Sequence, residues 1–362
     1  MSIDTEKRDT ERDPVIVEPA VLERQGRLPR FAVPGGVVVA AAVAGGLLAL
    51  TGFNIALWVL GTLVLFAVGL YAASRAVEGR RKATDRLVTV IVTAAFLLAL
   101  LPLVSVLWTV VSNGLTRFDA EFFTSSMRGV VGEGGGVYHA VLGTLIITAL
   151  AAVISIPIGL LTAVYLVEYG KNSRLARAIT FFVDVMTGIP SIVAGLFAVA
   201  LFTLLLGPGA RLGFAGSVAL SVLMIPIVVR ATEEMLKIVP NELREAAFAL
   251  GVPKWRTILK VVIPTSVAGI ASGVTLAIAR VIGETAPLLV AVGVTTGVNL
   301  NPFDGRMATL PVFSYFSYAT PGVPREPYLD RAWAAALVLI IIVMVLNLLA
   351  RLIARAFAPK TR

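Results

Sequence analysis

The chain has 362 residues, 57% hydrophobic and 15% charged, with a mean hydropathy of +0.90, which excludes the soluble globular classes and fits an all-α polytopic membrane protein. It has no cysteine and one histidine, His139, so disulfides, thiolate chemistry and cysteine metal centres are excluded and little remains for a histidine metal site. The net charge of +9 does not point to nucleic acid, because the basic residues fall in loops between apolar runs, where membrane topology explains them.

Residues 1–30 are polar and mixed in charge, without a basic-then-apolar signal-peptide pattern, and read as a disordered cytoplasmic tail. Two helices follow within 31–74: a span over Ala32–Leu50, a tight turn at Gly52 and Asn54, and a second span to about Ser74. Arg75, Arg80, Arg81, Lys82 and Arg86 form a basic loop before span three, about Leu87–Val111. The loop 113–138 carries Gly132, Gly134, Gly135 and Gly136. Span four runs about His139–Val167 with Pro157 inside it, and Lys171, Arg174 and Arg177 make a second basic loop. Spans five and six cover about Ala178–Leu206 and Phe214–Val229. The apolar run from Val261 to about Val298 exceeds the roughly 20 residues one span needs, so Pro287 and Gly293 are expected to divide it. A polar-aromatic loop over 299–331 precedes span eight, about Ala332–Phe357.

Eight predicted transmembrane helices fix an orientation. With the amino terminus inside, the outside loops hold only Arg117, Arg128, Arg211, Arg306, Arg325 and Arg331, and most Lys and Arg lie inside. Both termini and the polar segment 231–260 then face the cytoplasm of a multi-pass cell-membrane protein. Removing spans one and two leaves the orientation of the other six unchanged.

The longest polar interruption in the second half is EAAFALGVPKWRTILKVVIP, Glu245–Pro264. It reads as two short helices joined at Gly251, with Pro253 at the start of the second. Leu243, Ala246, Ala247 and Leu250 share one helical face, and Glu242 and Glu245 sit in or near the first turn, where negative charge suits the dipole. Such a pair between two spans is shaped to touch something outside the membrane. The segment resembles the EAA loop of binding-protein-dependent ABC importer permeases. That pattern is Glu-Ala-Ala, a Gly and an I-x-L-P, here Glu245, Ala246, Ala247, Gly251, then Val261, Ile263 and Pro264, two positions carrying conservative replacements. The resemblance implies docking on an ATP-binding subunit. The bland alternative is an ordinary interfacial helical hairpin.

In span seven, Arg280 and Glu284 are four apart and are expected to share a helix face. A mid-membrane charge costs about 2.5–3.5 kcal/mol, so both should face a partner or a watery path. The chemistry leaves two alternatives even: a structural ion pair, or an anion site in which the planar fork of Arg280 meets a tetrahedral oxyanion and Glu284 holds it at rest. Gly283-Glu284-Thr285-Ala286-Pro287-Leu288-Leu289 resembles the signature of phosphate ABC importer permeases of the PstA type. Thr187-Gly188-Ile189-Pro190-Ser191 and Met307-Ala308-Thr309-Leu310-Pro311-Val312 resemble the same family. The likeness covers roughly 85–357 and implies a six-span permease core, with Arg280, Glu284 and Thr285 on the substrate path. It implies as partners a second permease of the PstC type, ATP-binding subunits and an extracytoplasmic phosphate-binding protein, with inorganic phosphate as substrate. No cofactor, metal or catalytic residue is expected. ATP hydrolysis is assigned to a partner, since no phosphate-loop motif of the G-x-x-x-x-G-K-[ST] form occurs in this chain.

Other residues carry alternatives. Thr187, Gly188, Pro190 and Pro287 are candidate gate or hinge positions, and a packing kink explains Gly188 and Pro190 equally well. Asp184 lines the path or, preferably, pairs locally. His139 reads as an interfacial histidine, and Tyr315, Phe316, Tyr318 and Trp333 as an interface belt in contact with lipid, or as a contact for the binding protein. Rival functions are an importer permease for another oxyanion or solute such as sulfate, a non-transporting sensor or scaffold, and an ion-coupled secondary transporter, which would not need the helix pair.

Overall fold

The computed structural model describes residues 26–170 and 173–357, so most of the expected tail and Lys171 lie outside the described residues. Among the described residues every regular element is helical. The chain divides into two compact units, up to Ser105 and from Val106 onward, with one long helix running from the first into the second.

The first unit holds α1 (Ala32–Thr51), α2 (Ile55–Val77) and the start of α3 (Arg80–Gly114). Asn54 ends the turn by capping α2, its side chain accepting from Ala56 N at 2.9 Å and Leu57 N at 3.3 Å. Trp58 Nε1 donates to Ala41 O at 2.9 Å and ties the two helices together. Outward-facing Val, Leu and Phe side chains cover these helices, as lipid contact requires. Glu78, just past α2, is buried and fully partnered. It accepts from Arg86 Nε (2.7 Å) and Nη2 (2.9 Å), Leu28 N (3.0 Å) and Ser74 Oγ (2.9 Å). These bonds, the Arg86 guanidinium foremost, hold the Glu78 carboxyl far below the usual carboxylate range, at about 2.

In the second unit α3 ends in a 3-10 turn, Leu115–Arg117, followed by α4 (Ala120–Thr124), which Asp119 caps by accepting from Phe122 N at 2.9 Å. Then come α5 (Tyr138–Val164), α6 (Arg174–Thr187), α7 (Ser191–Leu206) and α8 (Gly213–Ile238). After these stand α9 (Asn241–Ala249), α10 (Lys254–Thr257), α11 (Ile263–Val281), α12 (Ala286–Ala291), α13 (Leu310–Ala319) and α14 (Glu326–Phe357). Two π-helical turns, Tyr165–Tyr169 and Ile258–Val262, extend the end of α5 and lead into α11.

Helix α8 is the axis of this unit, its Leu220, Met224 and Val228 fully buried between α5, α7, α11 and α12. With no hydrophobic drive between helices in lipid, close approach of backbones supplies the packing. A Cβ on Gly159 of α5 would lie 2.6 Å from Val228, and one on Gly273 of α11 would lie 2.5 Å from Ala231.

Seven helices are long and apolar enough to cross a membrane, and a bent pair makes the eighth. That pair corrects span five: α6 and α7 meet at 108° instead of forming one rod. Pro190 cannot donate to a continuing helix, and it drives Ile189 out of the helical region. Span six is longer than expected and continues to Ile238, so residues 231–238 belong to α8. The loop after span seven contains a helix, α13, that was not predicted.

Candidate substrate path and coupling surface

Span seven breaks within its signature. α11 ends at Val281, residues 282–285 are non-helical, and α12 restarts with Pro287 in its first turn. In an unbroken helix the Pro287 ring would strike the carbonyl of Gly283. Two glycines make room for α12. A Cβ on Gly195 of α7 would lie 2.6 Å from Pro287 Cα, and one on Gly216 of α8 would collide with Val292 and Leu288.

The break places Arg280 at depth. Gly269 packs on Met235 and Gly273 on Ala231, an antiparallel register that brings Arg280 level with Met224, near the middle of α8. Irregular backbone at that depth is tolerated only where protein covers it or water reaches it. Arg280 is exposed in the last turn of α11, where the dipole favours a cation, and Glu284 and Thr285 are half-buried. The expected Arg280–Glu284 ion pair is not formed: neither side chain has a hydrogen-bond or ion-pair partner among the described residues. The four-residue spacing aligns two side chains only on a continuous helix, and this one stops at Val281.

At the other broken span, Thr187 Oγ1 donates to Asp184 O at 2.6 Å just before the bend, and Gly188 and Pro190 are exposed there. Asp184 pairs with Arg230 of α8 instead of a sequence neighbour. Arg230 also reaches Glu233 at 2.8 Å, and Glu233 accepts from Lys237 at 2.7 Å. The bent pair is thus tied to α8 by charge.

The helix pair follows the carboxyl-terminal end of α8. α9 closes with a left-handed Gly251 (φ +73°) in a Schellman arrangement: Val252 N donates to Ala247 O at 3.1 Å and Gly251 N to Phe248 O at 2.9 Å. Ala247 is buried, whereas Glu245 and Ala246 are exposed. Leu243, Phe248 and Trp255 also stand in the open, and Leu250 is 83% exposed. The pair therefore presents an uncovered apolar surface.

Sequence reading missed what holds this surface. Glu168, in the π-helical turn after α5, is 6% exposed and accepts from Arg244 of α9 through Nε (3.0 Å) and Nη2 (2.9 Å). Arg244 also donates to Val239 O (2.6 Å) and Leu236 O (2.9 Å) at the end of α8. Lys254 of α10 bonds the Glu168 carbonyl and lies 4.8 Å over the Tyr169 ring. The only sequence signal was an acidic residue directly abutting an apolar span.

At the opposite end, residues Met307–Val312 are buried. The Ala308 carbonyl sits against Gly143 of α5, and Thr144 Oγ1 accepts from Leu310 N at 2.7 Å. His139, at the start of α5, is covered by protein: α13 folds over it, Phe313 meets its ring edge-on at 5.4 Å, and it is 2% exposed. Tyr318 meets Trp333 at 5.6 Å, and Tyr315 is exposed. Among the described residues no three His, Asp or Glu side chains cluster to hold a metal.

A buried charge pair thus joins the exposed helix pair to the end of α5, and span seven breaks at its charged signature. Residues 155–362 match the family described as binding-protein-dependent transport system inner membrane component. The chain belongs to that family. This permease is 50% identical over 279 residues to the phosphate transport system permease protein PstA 1 of Mycobacterium tuberculosis (strain CDC 1551 / Oshkosh), covering 76% of the permease and 90% of the relative. It is 38% identical over 292 residues to the phosphate transport system permease protein PstA of Yersinia pestis, covering 80% and 96%. Its fold is similar to a chain from a bacterial ABC transporter involved in the import of the acidic polysaccharide alginate, with a TM-score of 0.50, 14% identity and coverage of 75% and 96%.

Proposed function

We propose that the permease carries inorganic phosphate inward through a PstA-type ABC importer, paired with a PstC-type permease, ATP-binding subunits and an extracytoplasmic phosphate-binding protein. The observation that carries the reading is the broken span seven: Arg280, without a partner among the described residues, lies in the last turn of α11 just before the Gly283–Leu289 signature and level with the middle of α8. Arg280 offers a planar, permanently charged fork to a tetrahedral oxyanion. Glu284 and Thr285, in the adjacent non-helical turn, complete that stretch of the path. Pro287 and the bend at Thr187, Gly188 and Pro190 are the proposed hinges, since backbone can re-aim there without breaking regular hydrogen bonds. Glu245, Ala246, Ala247 and Gly251 form the coupling surface, oriented to the cytoplasm with both termini. Its uncovered Leu250 and Trp255 suit a groove on an ATP-binding subunit. Residues 85–357 form the permease core, and α1 and α2 are an addition to it.

The test is co-purification of the permease with its partners, reconstitution in vesicles and ATP-dependent uptake of labelled phosphate against sulfate. Phosphate uptake that requires the binding protein and ATP is expected. A complex that moves sulfate and leaves phosphate outside would overturn the substrate, and one that moves neither would favour a sensor or scaffold.

A further inference from the structure

At the end of α8 opposite the helix pair, two arginines from distant parts of the chain converge. A Cβ built on Gly293 would lie 3.3 Å from Arg211 Cδ, 3.4 Å from Arg211 Nη1 and 3.4 Å from Arg306 Cδ. The two Cδ atoms are thus no more than about 7 Å apart, which brings both guanidiniums within reach of one small anion. Gly293 itself is buried with φ +77°, so only glycine sits there without strain, and both arginine stems pack against it.

The convergence is built by the fold. Phe214 N at the start of α8 donates to Pro302 O at 2.7 Å, and the Phe214 and Phe303 rings meet at 5.0 Å. Asn299 Nδ2 donates to Asp304 O (2.8 Å) and Arg306 O (3.0 Å), which closes the loop carrying Arg306. These contacts hold that loop against the residue before Leu212 and Gly213. Neither guanidinium has a hydrogen-bond or ion-pair partner among the described residues, and Asp304, the nearest carboxylate in sequence, pairs with neither. The positive end of the α8 dipole lies beside them. Two exposed arginines brought together without a carboxylate leave their donors open to water and to an anion from outside the chain.

We propose that Arg211 and Arg306 form a capture site for a tetrahedral oxyanion at the outer mouth of the path, separate from Arg280. From Gly213 to Met224 along α8 the separation is about 16 Å, so an anion moves from one site to the other and does not bridge them. Each guanidinium offers a bidentate fork, and two forks match the four oxygens of one phosphate. This inference rests on the oxyanion-permease reading.

The test labels arginines with phenylglyoxal in the assembled complex and reads each site by mass spectrometry. Inorganic phosphate should slow modification of both Arg211 and Arg306 by about tenfold, as expected for charge-assisted hydrogen bonds. Chloride at equal ionic strength should not. Arg211→Gln should remove the protection of Arg306, and Arg306→Gln that of Arg211. Both side chains are exposed, so neither variant is expected to lower the amount of complex. Equal protection by chloride, no protection by phosphate, or protection by the binding protein alone would each overturn the site. Abolished uptake in Arg280→Gln with no phosphate protection here would leave the permease reading standing and sink this one. Protection in a complex that takes up no phosphate would support the site and count against that reading.

Discussion

Replacing Glu168 is the sharpest probe of how the helix pair is joined to the membrane helices. Its carboxylate accepts two hydrogen bonds from Arg244, and both residues are largely buried, at 6% and 12% side-chain exposure. Removing one partner of a buried pair costs about 3–5 kcal/mol, since the remaining charge stays desolvated. Here Arg244 keeps its bonds to Val239 O and Leu236 O, so Glu168→Ala should fall at the lower end, about 3 kcal/mol. Glu168→Gln keeps one acceptor but loses the charge assistance, about 1.5–3 kcal/mol. In Glu168→Ala α9 should swing independently of α5, because Lys254 alone then links the pair to the Glu168 backbone, and in Glu168→Gln the weakened Arg244 bond should leave it partly held. The assay has two readouts in the reconstituted complex: unfolding by denaturant in detergent, and phosphate moved per ATP hydrolysed. Destabilisation with a several-fold drop in that ratio is expected, and an Arg244→Ala, Glu168→Ala double variant should be little worse than either single one. Unfolding within about 0.5 kcal/mol of the parent together with an unchanged ratio would refute the joint.

Gly251→Ala should lower the transport-to-hydrolysis ratio. Its left-handed backbone costs a side chain about 1–2 kcal/mol although nothing among the described residues lies within 4 Å of the added carbon, and normal coupling would show that the turn tolerates relaxation. Arg280→Gln should abolish uptake normalised to assembled complex, with Arg280→Lys only partly active for want of a bidentate fork and Glu284→Gln milder; near-normal uptake by Arg280→Gln would remove Arg280 from the path. Gly195→Ala should displace α12, costing about 1–3 kcal/mol by overpacking against Pro287, read as reduced thermal stability of the complex. Glu78 titrates downward from 4.5 to about 2 in the folded chain, so its anchoring is complete above about 4.5 and is lost as pH falls toward 2. Glu78→Gln at neutral pH should therefore speed trypsin cleavage at Arg27, since the Leu28 amide is released; an unchanged rate would dismiss the anchor.

The sequence alone determined the membrane class, the existence and order of the spans and the position of the helix pair, because lipid forces long apolar helices and leaves polar residues between them; it did not place the bend in span five or the end of span six. Gly251 and the Pro287 break were legible for a similar reason: glycine and proline act on their own backbone, and that action is local. The tertiary structure decided the partners of the charges. Arg280 and Glu284 fit a helical pair until the Gly283–Pro287 clash ended the helix between them. Asp184 found Arg230 from 46 residues away, Glu168 found Arg244 from 76, and Arg211 met Arg306 only because Phe214 holds Pro302. His139 was hidden by a helix, α13, in a segment whose composition read as loop. A charge in a poorly solvated site needs a partner or water, but sequence carries no record of which helix faces bring that partner near. Only packing, here set by glycines that let α5, α7, α11 and α12 close on α8, selects it.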